Sequence, residues 1–492
     1  MNQLFTRQET IFQSLQISLL FLFFYKALNF LKNVIFARVL GPTEFGLLTL
    51  YLMIIYIIKQ AATFGIGAAH TRYAPEFRSC DTLRYFFVKT FSRGSVLITC
   101  TAVAVFLFSR PMAQLVFKNP DAKMGVISTI LVIVPFAFLE LYLSALQGLQ
   151  NFRAKSLLEF SCSALFLIFG TLSVLTVGRA QGVIWAMAAT YILVVALFSW
   201  HFWSGLTAQP YHPHQVRGSG SFRRLSSFCL FIFLTDISLQ IYQFIDRFML
   251  SQFLTKETVG IYTSCLTMTG IIFPIGLILS EVLLPNLSAL WAQGKVDEGQ
   301  RKFYYHVKLL LIALLLFSVP LLALKRHLII FLFGMPYLDG VKIAPFLITF
   351  HVYNSIYWVL AVVPLLVEQT HFLFVITLSG IVINSTLNYL LIPLVGMKGA
   401  ALGSMITAIV MLLTTIVFLY RKFKQVDISL LLLLLLPLVN LIDSLNIHIG
   451  LLIFTAYLVF RTNRVFTRAE KVQFWEHLNL YRKNLGGLFT AR

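Results

Sequence analysis

The sequence predicts an all-α polytopic membrane protein: two six-helix bundles related by a pseudo-twofold axis along the membrane normal, plus a C-terminal helix pair. Three observations lead there. Of 492 residues, 58% are hydrophobic and only 12% charged, against about 25% charged in a typical soluble domain. Apolar runs recur from residue 11 to residue 461, each near the roughly 20 residues a helix needs to cross a bilayer. Two short patterns in the first half return in the second at a nearly constant offset.

In chain order, the runs place spans at 13–38, 44–66, 86–109, 125–148, 157–177 and 182–204. They resume at 226–252, 258–284, 304–324, 343–366, 372–394 and 399–420, and end with two short ones at 428–443 and 447–461. The first two are separated by LGPTEF, where Pro42 has no N–H to give a helix and biases Gly41 away from helical geometry. Residues 204–221, SGLTAQPYHPHQVRGSGS, hold no apolar run and read as a flexible linker. The organisation is therefore an N-terminal six-helix lobe (1–204), a cytoplasmic linker (205–225), a C-terminal six-helix lobe (226–420), two extra transmembrane helices (421–461) and a tail (462–492). In that tail T-R-A-E at 467–470 is a capping-box pattern, and Val472, Trp475 and Leu478 follow at helical spacing. This predicts an amphipathic helix on the inner membrane face.

Orientation follows from the cations. Arg72, Arg78, Arg84, Arg153, Lys155, Arg223, Arg224, Lys295, Arg301, Lys302, Lys308, Arg421 and Lys422 fall on the same side as the N-terminus. They outnumber those in the opposite loops, so both termini are expected on the cytoplasmic side of the membrane. The same bias accounts for the net charge of +20 without nucleic acid. Arg7 and Glu9 precede an apolar run too long for a signal peptide, so the first span is expected to be retained. The cysteines (Cys80, Cys100, Cys162, Cys229, Cys265) lack metal-like spacing and read as small buried hydrophobes. No metal or cofactor is expected; His212 and His214 in H-P-H read as a solvated loop. There is no G-x-x-x-x-G-K-[ST], H-E-x-x-H or G-x-S-x-G motif, and hence no signature of an enzyme.

The repeat is seen at LGPTEFGLLT (40–49) and LTKETVGIYT (254–263), where Leu40, Gly46 and Thr49 align with Leu254, Gly260 and Thr263 at an offset of 214 (254−40). GRAQGVIWAMAAT from Gly178 likewise aligns with GMKGAALGSMIT from Gly396, an offset of 218 (396−178). Six spans per half is even, so the halves share one orientation, as in transporters built from parallel repeats.

Ionisable groups within spans cost several kcal/mol and are functional candidates by default. Lys26 and Lys32 lie in the first span with Asn29 between them, Lys59 in the second, Arg93 near the start of the third, and Asp236, Asp246 and Arg247 in the seventh. The repeat aligns Arg247 with Asn33 (247−214), beside Lys32. Lys26, Lys32 and Arg247 would suit an anionic cargo, with Lys59, Arg93 and the rim residue Arg38 behind them. Asp246 and Asp236 are candidates for ion pairing or coupling.

ARVLGPTEFGLLTLY (37–51), IDRFMLSQFLTKETVGIY (245–262), EVLLPNLSALWAQGKVDEGQRKF (281–303) and PLVGMKGAALGSMIT (393–407) span both halves. Through them the chain resembles the polysaccharide flippases of the multidrug/oligosaccharidyl-lipid/polysaccharide exporter superfamily, above all O-antigen and capsule repeat-unit translocases. The resemblance implies a MATE-like arrangement of the two bundles. It also implies a cargo of polyprenyl-pyrophosphate-linked oligosaccharide, flipped from the cytoplasmic to the outer leaflet by alternating access, with membrane lipids, polysaccharide polymerase and chain-length machinery as partners. The alternative is a cation-coupled multidrug or small-molecule exporter of the same fold, which would favour acidic residues where this chain has Lys26 and Lys32. A membrane-embedded glycosyltransferase would need a large outer loop with catalytic carboxylates, and none is long enough.

Overall fold

A computed structural model describes residues 11–79, 82–208, 220–424, 427–442, 444–461, 466, 468 and 470–472. Its α-helices run in the order α1 (Ile11–Thr63), α2 (Ile66–Ser79), α3 (Leu83–Leu107), α4 (Ser109–Phe117), α5 (Lys123–Gly148), α6 (Phe152–Val177), α7 (Ala180–Thr207), α8 (Gly220–Phe253) and α9 (Lys256–Thr269). There follow α10 (Phe273–Ala292), α11 (Val296–Leu332), α12 (Ala344–Leu360), α13 (Val362–Leu366), α14 (Thr370–Val395), α15 (Met397–Phe423), α16 (Ile428–Leu433) and α17 (Leu445–Phe460). No strand occurs among the described residues.

Among the described residues, eleven helical segments are long and apolar enough to cross a membrane, and two shorter apolar ones cover Ile428–Leu441 and Asn446–Leu458. One of the eleven, Phe24–Thr63, has 40 residues, about twice what a bilayer core requires. It is broken at Gly41 (φ 75°, ψ 170°), a backbone conformation essentially restricted to glycine. Counted as two, it brings the segments into register with the fourteen spans expected from sequence. His212, His214 and the tail beyond Val472 lie outside the described residues. Cys162, Cys229 and Cys265 are buried as expected, whereas Cys100 is exposed. It lies on the outward face of α3 among Val96, Val103 and Phe106, all exposed; in a membrane-spanning helix that face is apolar too, so hydrophobicity alone did not place the cysteine inside.

The chain forms two compact units. The first comprises Met1–Thr267, Ile329–Gly340 and Thr377–Ala400; the second comprises Met268–Leu328, Val341–Ile376 and Ala401–Arg492.

In the first unit the Gly41 turn is locked on several sides. Glu44 Oε2 accepts the Ala180 N–H at 2.8 Å, so the glutamate serves an unsatisfied donor at the α7 N-terminus, where negative charge is favoured. Tyr337 donates its hydroxyl to the Ala37 carbonyl at 2.5 Å, and Arg38 donates to the Phe331 carbonyl. The repeat-related glycines also meet each other. A Cβ on Gly46 would overlap the Lys256 carbonyl oxygen and stand 2.9 Å from the Gly260 nitrogen. One on Gly260 would overlap the Pro42 carbonyl oxygen and stand 3.0 Å from the Gly46 nitrogen. α1 and α9 therefore touch backbone to backbone. The second echo is conformational: Gly178 and Gly396, which follow α6 and α14, both adopt φ 63°, the left-handed form that ends helices.

In the second unit a buried cation ties the C-terminal helices to α11. Lys308 is 3% exposed and reaches Asp427 at 2.9 Å and Glu470 at 3.3 Å. Its ammonium lies 5.2 Å from the Phe466 ring centroid, and Phe466 in turn packs on Tyr305. Asp427 also caps α16, accepting the Ser429 N–H at 2.9 Å. Burial raises the Asp427 carboxyl, but hydrogen bonds from Ser429 and Lys308 and the lysine charge outweigh it and hold it below its ordinary value.

Three outcomes follow for the purified protein. Gly260→Ala lowers the thermal midpoint, whereas Gly450→Ala, on a helix with open space around it, gains up to about 1 kcal/mol from helix propensity. Lys308→Met costs on the order of 3 kcal/mol, because it leaves two carboxylates facing one another without their cation. A depressed carboxylate stabilises above its unfolded pKa. The Asp427 contribution is therefore complete at neutral pH and lost only in acid, as pH falls through its lowered value; thermal unfolding against pH in wild type and Asp427→Asn reads this directly.

Candidate functional site

Every candidate residue lies in the first unit. Three of the cations share one surrounding. The rings of Phe166 (α6), Tyr191 (α7), Phe136 (α5), Tyr56 (α1) and Phe244 (α8) form a continuous chain, with successive centroids 6.4, 4.8, 5.6 and 5.9 Å apart. Lys32 Nζ lies 4.7 Å from the Phe166 centroid, Lys59 Nζ 5.1 Å from Phe136 and the Arg247 guanidinium 5.0 Å from Phe244. Five helices thus bring three cations onto one aromatic chain.

The three differ in how their charge is met. Lys59 is buried and pairs with Glu140 at 3.5 Å. Its neighbour Gln60 donates to Asp236 Oδ2 at 2.8 Å. Lys32 donates to the neutral Asn29 Oδ1 at 2.7 Å, and Asn29 is held by its own bond to the Tyr25 carbonyl at 2.9 Å. Arg247 donates to the Gln243 carbonyl, while its Nε is buried without a hydrogen-bond partner. Neither Lys32 nor Arg247 has an ion-pair partner among the described residues. An aromatic face attracts a cation through its quadrupole but carries no net charge. These two cations are therefore held by a neutral amide, a backbone carbonyl and two aromatic rings, in a setting where charge is costly.

The other candidates have surroundings of their own in the first unit. Asp246 is buried, accepting from Tyr262 at 2.8 Å and from Asn388 Nδ2 at 3.3 Å. Asn388 also donates to Asn384 Oδ1 at 2.6 Å. Lys26 is half-buried on α1, Arg93 is exposed on α3, and Arg38 is exposed at the Gly41 turn. Glu159 pairs with Lys155 at 3.8 Å, one turn away on α6.

The rings, Gln60 and the Tyr262–Asn388 pair were not singled out from sequence, whereas Asn29 was noted between the two lysines. Tyr56 with Lys59 and Phe244 with Arg247 are three apart, a helical-neighbour spacing that can be read directly. Phe166 and Tyr191 carry no such signal, since their partners come from other helices.

The family described as "Polysaccharide biosynthesis protein" matches residues 12–291. No curated protein matches the sequence. Among solved structures, the chain is similar to lipid II flippase MurJ in an inward closed conformation, with TM-score 0.68 and 17% identity, covering 90% of this chain and 98% of that one. It is also similar to an inward-facing multidrug resistance MATE transporter of the MOP superfamily (TM-score 0.60, 14% identity, 81% and 96% covered). A third match is a MOP superfamily transporter from Pyrococcus furiosus whose binding pocket is described as reversed in polarity (TM-score 0.57, 15% identity, 84% and 95% covered). At these identities the likeness establishes the fold: all-helical, with the two-bundle MurJ and MATE architecture.

The Lys59–Glu140 pair can be weighed by a double-mutant cycle. Lys59→Gln and Glu140→Gln each lower stability, and the double variant loses less than their sum, with a coupling of about 1 kcal/mol. Additive losses would mean that the two charges act independently.

Proposed function

The chain belongs to the polysaccharide biosynthesis protein family, and on that footing we propose that it is a flippase for a polyprenyl-pyrophosphate-linked oligosaccharide. It would carry this lipid from the cytoplasmic to the outer leaflet of the bacterial inner membrane, for O-antigen, capsule or exopolysaccharide synthesis. Both termini lie in the cytoplasm, and the lobes at 1–204 and 226–420 alternate access to a cationic cavity. Polysaccharide polymerase and chain-length machinery receive the product.

One observation carries the reading. Lys32 and Arg247 lie within apolar helices, positioned by aromatic rings and with no carboxylate at salt-bridge distance among the described residues. A pyrophosphate supplies what they lack: compact negative charge and acceptor oxygens that form charge-assisted hydrogen bonds. Lys59, already paired with Glu140, tunes the wall, and Lys26, Arg93 and Arg38 lie along the path. Asp246, buried with Tyr262 and Asn388, is the coupling group, and Asp236 beside Gln60 is the second candidate. An inside-negative membrane potential aids outward movement of the anion by about 2.3 kcal/mol per charge per 100 mV.

Deletion of the gene should raise one lipid-linked oligosaccharide in the inner leaflet, as read by lipid extraction and mass spectrometry. Complementation with Lys32→Gln or Arg247→Gln should leave most of that accumulation in place, while Lys32→Arg restores export. Full clearance by both Gln variants would overturn the cation assignment.

A further inference from the structure

A second polar surface lies on the same face of α5 as the ring chain. Phe136, Glu140 and Gln147 occupy positions i, i+4 and i+11 of that helix, within a 40° sector at 100° per residue. Gln147 is about 16 Å beyond Phe136 at 1.5 Å per residue. There it joins Ala68, Thr71, Arg72, Pro75 and Glu76 of α2 in lining an open groove of about 620 Å³, within the roughly 300–1,000 Å³ of small-molecule sites.

The groove is assembled from both kinds of hydrogen-bonding group. Pro75 lies inside α2 and has no N–H, so the Thr71 carbonyl four residues earlier loses its helical donor and remains an acceptor. Gln147 accepts from Lys155 through Oε1 at 2.9 Å, which leaves its two amide N–H groups as donors. Arg72 is exposed and has no hydrogen-bond or ion-pair partner among the described residues. Glu76 adds carboxylate oxygens. Ala68 and Pro75 supply apolar surface between these groups.

The backing is rigid. His70, fully buried on the opposite side of α2, bonds Thr90 at 2.8 Å and Ser144 at 3.0 Å, and stacks on Phe91 at 5.4 Å. It thereby anchors α2 to α3 and α5, so the exposed face of α2 is held at a fixed distance from Gln147.

We infer that this groove is a saccharide subsite that binds hydroxyl groups of the oligosaccharide while its pyrophosphate occupies the cation–ring site. Neighbouring sugar hydroxyls present donors and acceptors side by side, which the Arg72 and Gln147 donors and the Thr71 and Glu76 acceptors match. The C–H face of a pyranose ring fits Pro75 and Ala68. A bare pyrophosphate or a small apolar drug would need no such alternation. The inference rests on the flippase reading, and in that reading's orientation the groove opens where cargo enters.

The test uses full-length protein in nanodiscs, with binding followed by tryptophan fluorescence. Two probes are compared: the lipid-linked oligosaccharide extracted from deletion cells, and polyprenyl pyrophosphate carrying no sugar. Arg72→Gln and Gln147→Ala, both away from the buried core, should each weaken the glycosylated lipid roughly tenfold and leave the sugar-free lipid unchanged. Equal affinity of wild type and both variants for the glycosylated lipid would overturn the subsite. Equal weakening for both lipids would overturn it as well, showing a role in fold or field rather than sugar recognition. A wild-type protein that binds neither lipid would instead remove the flippase reading, and the subsite with it.

Discussion

The contact between Gly46 and Gly260 is the constraint on which the first unit depends. Where two helices meet backbone to backbone, neither tolerates a side chain, and the approach fixes what lies on either side. α8 leads directly into α9, so the position of Gly260 also sets where Arg247 stands. α1 leads away from Gly46 toward Tyr56 and Lys59, and back through the Gly41 break toward Lys32. The Glu44 bond to Ala180 adds α7, which carries Tyr191. The helices that meet around the Gly41 turn are thus among those that furnish the aromatic chain.

On the proposed flippase function, that chain resolves a physical conflict. A protein that holds an anionic headgroup within an apolar bundle needs positive charge there, and unpaired charge is costly in such a place. Neutralising each cation with a carboxylate would lower the cost and abolish the attraction. Resting the cation on a ring gives partial compensation and leaves the charge available. Lys59 with Glu140 shows the first solution and Lys32 on Phe166 the second, and Phe136 touches both the Lys59 ammonium and Tyr191.

Much of this was legible in the sequence because membrane helices obey a simple rule of length and polarity. The number and order of the spans, the break at Gly41 and Pro42 and the alignment of Gly46 with Gly260 can all be read from one dimension, whereas helices such as Val296–Leu332 run well past the expected span at 304–324. The meaning of Glu44 could not, since its partner is a backbone N–H 136 residues away. Nor could the distinction between Lys59 and Lys32: both are lone lysines in apolar runs, and only the neighbouring helix decides whether a glutamate or a phenylalanine faces them. Aromatic residues are 15% of the chain, so the five that join ring to ring do not stand out. The acceptor in the α2 groove arises from a missing N–H at Pro75, a local signal whose use depends on Gln147 from a distant segment.

Transport by the purified protein in proteoliposomes tests the central claim most directly. With a fluorescent lipid-linked oligosaccharide and a quencher outside, the account predicts that wild type moves the lipid between leaflets, and that Lys32→Gln and Arg247→Gln slow this by an order of magnitude or more at unchanged protein folding. Proton- or sodium-driven efflux of cationic dyes with no movement of the lipid would contradict it and identify a small-molecule exporter instead.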